Sequence, residues 1–268
     1  VEVENPELCR RYVAKAVKNV KVGPSPRWMR ERLRAAGMRP INNIVDITNF
    51  LLNENGHPLH VFDAAKIVGR EVVVRRSTPN CKFVTLDGVE RTLSSEDLVI
   101  CNAKDPMCIA GVFGGEDSGV TESTTDIFLE SACFNPTTIR KTSKRHGLKT
   151  DASFRYERGV DPLNTMYAAK RAAMLITEVA GGRIVGEIQE SYPKKFSEVQ
   201  VELDYARIES FIGKRIDSQT IKDILVSLDF YIRNESETGC LVDVPSYRVD
   251  VTRECDVVEE ILRIYGYN

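Results

Sequence analysis

The chain has 268 residues, of which 42% are hydrophobic and 28% charged, and its formal net charge is −2. This balance excludes a disordered chain, and no apolar run reaches the ~20 residues that a membrane-spanning helix needs. The length favours one or two domains with a substantial buried core. The chain opens on Val1 without an initiator Met, so we expect a fragment of a longer protein that is cytoplasmic and makes no contact with a membrane.

Seven cysteines are scattered along the chain, and none belongs to a Cys-x-x-Cys pair. This spacing gives no support for a zinc ribbon or a thioredoxin-like site. Cysteines within apolar runs, such as Cys101, are typical of small core residues in a reducing compartment.

Charge is distributed unevenly. Residues 1–39 carry ten Lys and Arg against four acids, and residues 136–159 carry seven against two. Residues 199–268 carry eight basic and fourteen acidic side chains, a net of −6. A polyanion is therefore attracted to the first two regions rather than to the last. A solvated helix face is the alternative explanation for any single charge.

The first hundred residues predict mainly strands, with a helix near the start. Residues 13–22 favour a strand, after which Ser25 is expected to cap a helix that has Pro26 at its first position and stops at Gly37. Residues 44–52 could form a helix or a strand. A strand follows at 71–75, then a hairpin over 83–93 that turns at Asp87-Gly88, then a strand at 97–101.

The rest of the chain predicts two further groups of elements. Strands are expected at 107–113 and 127–131, a basic helix at 136–146 and an apolar-striped helix at 161–180. The pattern predicts an α+β fold, with a mixed sheet and helices outside it. A boundary near 191–195 separates domains at 1–192 and 197–268. In the second, small α+β domain we expect a helix capped by Asp217, a hairpin over 231–241 and a last helix around 257–265.

His57, His60 and Asp63 lie close enough in sequence to suggest metal ligands. Pro58 and Leu59, however, interrupt the helical geometry that would give the two imidazoles a common face. We therefore predict no metal site here. Nucleophilic catalysis also has little support, because the chain has no Gly-x-Ser-x-Gly motif and no Cys beside a His.

Three other features leave alternatives open. The glycines in 110–116 indicate either a close approach of ligand to backbone or a turn with positive φ. Glu130 lies in an apolar strand, so its carboxylate needs an Arg partner or a ligand. A basic run suits phosphate contacts or a solvated helix face; its members are Arg140, Lys141, Lys144, Arg145 and Lys149.

Several segments together resemble the beta subunit of bacterial phenylalanine–tRNA ligase. They are residues 39–49 (RPINNIVDITN), 56–63 (GHPLHVFD), 145–153 (RHGLKTDAS), 155–162 (RYERGVDP) and 244–250 (VPSYRVD). The match runs in order through the whole chain. It corresponds to the B3/B4 editing region followed by the small B5 domain. One position departs from the family, which has His where this chain has Phe154.

The resemblance implies a function and a site. In this family the B3/B4 region hydrolyses tyrosine wrongly esterified to tRNA(Phe), while the parent enzyme charges tRNA(Phe) with phenylalanine using ATP and Mg²⁺. By position, His60 and Glu130 would be the catalytic pair, with Glu130 accepting the tyrosine hydroxyl. The ester pocket would be lined by Thr48, Asn49, Ala110, Gly111, Thr150 and Ala152.

The resemblance also implies partners. These are tRNA(Phe), reached through the basic run of 140–149, and the ligase alpha subunit in an alpha2beta2 heterotetramer. We expect no cofactor or metal in this fragment itself. The alternative functions are a non-catalytic scaffold between other domains and an RNA-binding module of the synthetase. The net charge of −6 over 199–268 weakens RNA binding through the second domain.

Overall fold

The computed structural model describes residues 1–267 and divides the chain after Lys195 into two units, Val1–Lys195 and Phe196–Asn268. The elements of the first unit are β1 (Glu2–Val3), β2 (Cys9–Lys18), α1 (Arg27–Ala35), α2 (Asn43–Asn55), β3 (Leu59–Asp63), β4 (Val73–Arg76), β5 (Lys82–Val84), β6 (Glu90–Thr92), β7 (Leu98–Cys101), β8 (Pro106–Ile109), β9 (Phe113–Gly114), β10 (Ile127–Phe134), α3 (Pro136–His146), α4 (Asp151–Tyr156), α5 (Asn164–Ala180) and β11 (Arg183–Ser191).

Two sheets organise this unit. One has the order β11-β2-β10-β3 with all neighbours antiparallel, and the other has the order β1-β4-β7-β8-β9. The second sheet is mixed, because β1 pairs parallel with β4 whereas its other pairs are antiparallel. Helices α2 and α5 pack on the antiparallel sheet. The predicted α+β class with a mixed sheet is confirmed.

The alternation of side chains along β10 determines the position of the site. Ile127 and Leu129 belong to an apolar cluster that also holds buried side chains of α1, α2 and α5. Ala132 and Phe134 belong to a different cluster, shared with the mixed sheet. Because alternate residues of a strand point to opposite faces, Glu130 lies on the same face as Ala132 and Phe134.

Local sequence signals account for most of the elements, but the predicted cap of α1 differs in the structure. Asn42 caps α2 by accepting hydrogen bonds from the next residues, and thus 44–52 is a helix. The prediction that Ser25 caps α1 is wrong, because Pro26 occupies the cap position without a side-chain bond. The Ser25 hydroxyl instead donates to Asp46 at 2.5 Å. Asp46 is 1% exposed, and a buried carboxylate without donors is costly.

The second unit is a three-stranded antiparallel sheet with three helices. Its elements are β12 (Val199–Asp204), α6 (Tyr205–Ile212), α7 (Ser218–Ser227), β13 (Tyr231–Arg233), β14 (Gly239–Val244) and α8 (Glu254–Tyr265), with strand order β12-β14-β13. Asp217 caps α7 as predicted. Within residues 1–267, no helix combines the length and the apolar character needed to cross a membrane.

Candidate functional site

A cavity of about 250 Å³ collects most of the predicted pocket residues. Its lining comes from α2, β3, β10, α4 and the turn between β8 and β9. It includes Thr48, Asn49, His60, Gly111, Glu130, Thr150 and Ala152. Ala110 is buried beside Gly111 in the chain but is not part of the lining. The wall is otherwise mainly apolar, with Leu52, Leu59, Leu86, Val112, Phe113 and Tyr156.

Glu130 is buried in this cavity without a cationic partner. Its side chain is 3% exposed, and no ion pair within residues 1–267 includes it. Oε2 accepts a hydrogen bond of 3.0 Å from the hydroxyl of Tyr12. Burial raises the pKa of Glu130 to about 8, although the Tyr12 bond acts in the opposite direction. The Arg-partner alternative therefore does not occur, and the carboxyl is mostly neutral at pH 7.

His60 lies directly opposite Glu130 in the register between β3 and β10. Such cross-strand neighbours project from the same face of a sheet. The Nε2 atom of His60 is buried and has no hydrogen-bond partner among residues 1–267, and its ring packs edge-on against Phe62 with the ring centroids 4.5 Å apart. Burial lowers the pKa of His60 to about 4. The imidazole is therefore uncharged at neutral pH and has an unsatisfied polar atom beside the cavity.

Sequence reasoning missed Tyr12 as a part of this site. It is fully buried on β2, where it pairs with Ala132, two residues from Glu130 along β10. Nothing in the residues around Tyr12 indicates a contact 118 positions away. Only the pairing of β2 with β10 brings the two side chains together.

The turn between β8 and β9 requires glycine. Gly111 has φ of +66°, and a Cβ there would lie within 3.0 Å of Phe134, Tyr156 and Ile139. The predicted strand 107–113 is interrupted at this point. The Thr150 hydroxyl fixes the turn, because it donates to the carbonyl of Val112 at 2.9 Å while accepting from Ser153. Thr150 therefore serves as cap of α4 and as support for the cavity wall.

Two residues of α2 contribute different polar groups. The hydroxyl of Thr48 donates to the carbonyl of Val45 at 2.7 Å. The side-chain amide of Asn49 makes no hydrogen bond to another residue within 1–267, and it is half-buried at the cavity. A buried or half-buried amide gains from a polar partner. Asn49 is therefore available to a ligand, whereas Thr48 shapes the wall.

Gly114 also lines the cavity, and a side chain there would reduce its volume. An added Cβ would lie 2.8 Å from Leu86 and 3.0 Å from Cε1 of His60. We expect Gly114→Ala to displace the His60 ring; for the ester hydrolysis that the family resemblance implies, this should slow the reaction by roughly 10-fold or more, because small misplacements of reacting groups are costly. Steady-state hydrolysis of a small tyrosyl ester measures this. Gly147→Ala, a helix end with open space around it, is the control for general effects on stability.

Four members of the basic run lie on α3 and the fifth, Lys149, lies between α3 and α4; one member is already paired with carboxylates. Arg140, Lys141, Lys144 and Lys149 are exposed, and no ion pair within residues 1–267 includes them. Arg145 is different: its guanidinium pairs with the buried carboxylate of Asp97 and with Glu96. The phosphate contact predicted for Arg145 stays a prediction, although its guanidinium, unlike the other four side chains, already has two carboxylate partners. Through these ion pairs, Arg145 links α3 to the segment before β7.

The candidate metal ligands do not converge. His60 and Asp63 are three residues apart on β3, and their side chains therefore point to opposite faces. Asp63 accepts a hydrogen bond of 2.7 Å from Thr124. No group of three His, Cys, Asp or Glu among residues 1–267 has an arrangement that could hold a metal ion.

Phe154 lies outside the cavity lining. It is 50% exposed on α4, with the guanidinium of Arg158 at 3.6 Å from its ring centroid. The replacement of the family's His by Phe154 therefore does not change the set of residues that line the cavity.

Each of the two units matches a known domain family. Residues 8–181 match the B3/4 domain, and residues 201–267 match the tRNA synthetase B5 domain. The chain belongs to the B3/4 domain family. These two matches confirm the resemblance inferred from the motifs. The cavity, with Glu130 and His60, falls within the part that matches the B3/4 domain.

The chain is similar over its whole length to phenylalanine–tRNA ligase beta subunits. It is 56% identical to that of Bacteroides fragilis and 48% identical to that of Carboxydothermus hydrogenoformans. It spans about a third of the length of these relatives (33% and 34%). A solved N-terminal fragment of the phenylalanyl-tRNA synthetase beta subunit from Pyrococcus horikoshii aligns with 99% of this chain and 74% of its own at 14% identity, with a TM-score of 0.45.

Proposed function

We propose that this B3/4 domain is an editing esterase, which hydrolyses tyrosine wrongly attached to tRNA(Phe). The observation that carries the proposal is a buried carboxyl without a cationic partner, Glu130, at the wall of a small apolar cavity. A cavity of this kind suits an aromatic ring with one polar end. The hydroxyl of a tyrosyl ring is the group that would satisfy Glu130.

The physical need for such a site follows from the size of one hydroxyl. A pocket shaped for phenylalanine rejects tyrosine weakly, since an apolar pocket discriminates against one added hydroxyl by only ~10²-fold. A second pocket can select the hydroxyl positively. If a phenylalanyl ester entered the cavity, Glu130 would remain without its second partner, and an unsatisfied buried polar group costs about 1–3 kcal/mol.

We propose that His60 orients the attacking water. A general base is most effective when its pKa lies near the working pH, and the pKa of His60 is lowered to about 4. Its uncharged Nε2 atom can still form a hydrogen bond to water. An aminoacyl ester is already activated, so fixing the water near the carbonyl supplies much of the rate. We therefore assign His60 to water orientation, and Asn49 to binding of the ester or ribose.

The proposal is tested by deacylation of charged tRNA. The 268-residue chain is incubated with Tyr-tRNA(Phe) and with Phe-tRNA(Phe), and release of the amino acid is followed. Faster release of tyrosine supports editing. Equal, uncatalysed release of both would favour the alternative in which the chain is a non-catalytic scaffold or RNA-binding module.

Exposed cations of α3 are proposed to meet the tRNA backbone. We expect the triple variant Arg140→Ala, Lys141→Ala, Lys144→Ala to raise the KM for charged tRNA and to reduce the salt slope by about 2–3, because each phosphate contact contributes roughly 0.7–0.9. The measurement is KM as a function of salt concentration. Hydrolysis of a small tyrosyl ester, which has no phosphate, should stay intact.

A matched variant provides the control for this experiment. Replacing three exposed lysines elsewhere with alanine removes the same charge and should leave the slope nearly unchanged; they are Lys104, Lys170 and Lys214. If both triple variants reduce the slope equally, α3 has no special role. If the small ester also fails, these residues support the pocket instead.

The whole-ligase context is also part of the proposal. We propose that the chain acts within a cytoplasmic phenylalanine–tRNA ligase in which it meets the alpha subunit in an alpha2beta2 heterotetramer. Charging of tRNA(Phe) with phenylalanine then uses ATP and Mg²⁺.

A further inference from the structure

Tyr12 and Glu130 form a buried pair that the editing proposal does not yet explain. Both side chains are buried, at 0% and 3% exposure, and the Tyr12 hydroxyl donates to Oε2 of Glu130 at 3.0 Å. The pair joins β2 to β10, the two central strands of the antiparallel sheet. Tyr12 is not part of the cavity lining, whereas Glu130 is.

The hydrogen bond runs from Tyr12 to Glu130. Burial and the neighbouring Glu130 raise the pKa of Tyr12 well above its usual value, so its hydroxyl keeps the proton that it donates to Oε2. Glu130 therefore uses one carboxyl oxygen for Tyr12. The other, Oε1, takes part in no hydrogen bond within residues 1–267.

This arrangement determines where a proton on Glu130 can be. A neutral carboxyl that keeps the hydrogen bond from Tyr12 at Oε2 carries its acid proton on Oε1. A neutral carboxyl of this kind can donate to a phenolic oxygen, or accept from a phenolic hydroxyl. Without Tyr12 the two oxygens would be equivalent and free to exchange by rotation of the terminal torsion.

We propose that Tyr12 is a positioning residue for editing, which holds Oε2 of Glu130 and so presents Oε1 to the para-hydroxyl of a tyrosyl ester. This inference rests on the proposed editing function and deepens it. Tyr12 never touches the substrate. It selects tyrosine over phenylalanine through the orientation of Glu130.

The test replaces Tyr12 with Phe, which keeps the ring in the core and removes only the hydroxyl. We expect the ratio of kcat/KM for small tyrosyl and phenylalanyl esters to fall by about 3- to 10-fold, the range for loss of one neutral hydrogen bond. The change should lie in the tyrosyl ester. In a Glu130→Ala background, which removes the carboxyl that Tyr12 contacts, the same replacement should change the ratio by less than about 2-fold, because residues that act through one contact are not additive.

A second readout follows the proton directly. The infrared carbonyl band of protonated Glu130, assigned by its loss in Glu130→Gln, is titrated with pH. Because the Tyr12 bond lowers the pKa of Glu130, Tyr12→Phe should shift the midpoint upward from about 8. Tyr156→Phe is the matched control, since it removes a buried tyrosine hydroxyl that donates to the Pro58 carbonyl rather than to Glu130. That variant should leave the midpoint in place.

The outcomes separate the two proposals. If the unaltered chain shows no preference for tyrosyl over phenylalanyl esters, the editing function fails and this inference falls with it. If the unaltered chain is selective, but Tyr12→Phe keeps both the ratio and the Glu130 midpoint, only the role of Tyr12 is overturned. A drop in ratio that persists undiminished in the Glu130→Ala background would also overturn it, because Tyr12 would then not act through Glu130.

Discussion

Replacing Glu130 with alanine is expected to lower the ratio of tyrosyl- to phenylalanyl-ester hydrolysis by roughly 5- to 150-fold, which corresponds to about 1–3 kcal/mol. In this variant the hydroxyl of a bound tyrosyl ring has no partner in an otherwise mainly apolar cavity. The phenylalanyl ester loses nothing comparable, because it has no hydroxyl to satisfy. The ratio is measured with purified chain and charged tRNA, or with small esters.

Glu130→Gln gives the matched control for that variant. Glutamine has nearly the same volume and keeps an acceptor and a donor, so the hydrogen bonds to Tyr12 and to the substrate can both persist. We expect it to retain more selectivity than alanine does. An unchanged ratio in folded Glu130→Ala would show that another group recognises the hydroxyl.

Replacing Asp97 with alanine is expected to destabilise the first unit by about 3–5 kcal/mol, the usual cost of removing one partner of a buried ion pair. Asp97 is 0% exposed and accepts from the Thr142 hydroxyl at 2.9 Å, from the guanidinium of Arg145 and from the ring of His146 at 2.7 Å. All three donors belong to α3. Urea denaturation of the chain measures this loss, as the change in the free energy of unfolding for the transition of the first unit.

The neighbouring Glu96 provides the control. Its side chain is 62% exposed and pairs with the same Arg145, so Glu96→Ala should cost about 0–1 kcal/mol, as expected for a surface ion pair. Burial alone would raise the pKa of Asp97, but the bonds from His146, Ser94 and Thr142 outweigh it and hold that pKa below its usual value. The stabilisation is therefore fully present when the pH is above the pKa of Asp97 in the unfolded chain. It is lost as the pH falls through the lower pKa that Asp97 has in the folded chain. Equal costs for the two variants would contradict the role given to Asp97.

The sequence by itself determined the elements whose signals are local. Helix α3 begins with Pro136 after the cap Asn135 and ends at Gly147 in the left-handed conformation. The hairpin turns at Asp87-Gly88, with Gly88 at φ of +72°, as its composition predicts. Motif resemblance also identified the family and nominated the pocket residues, which no periodicity in the chain could have done.

The tertiary structure decided the contacts that join distant segments. Local sequence left the partner of Glu130 open between an Arg and a ligand, and strand pairing supplied Tyr12 instead. It placed His60 opposite Glu130 through the register of β3 with β10. It also engaged Arg145 with Asp97, 48 positions away. Buried polar groups take whichever partner the packing brings within reach, because leaving them unpaired costs more than any local preference, and that choice is made only when the strands and helices assemble.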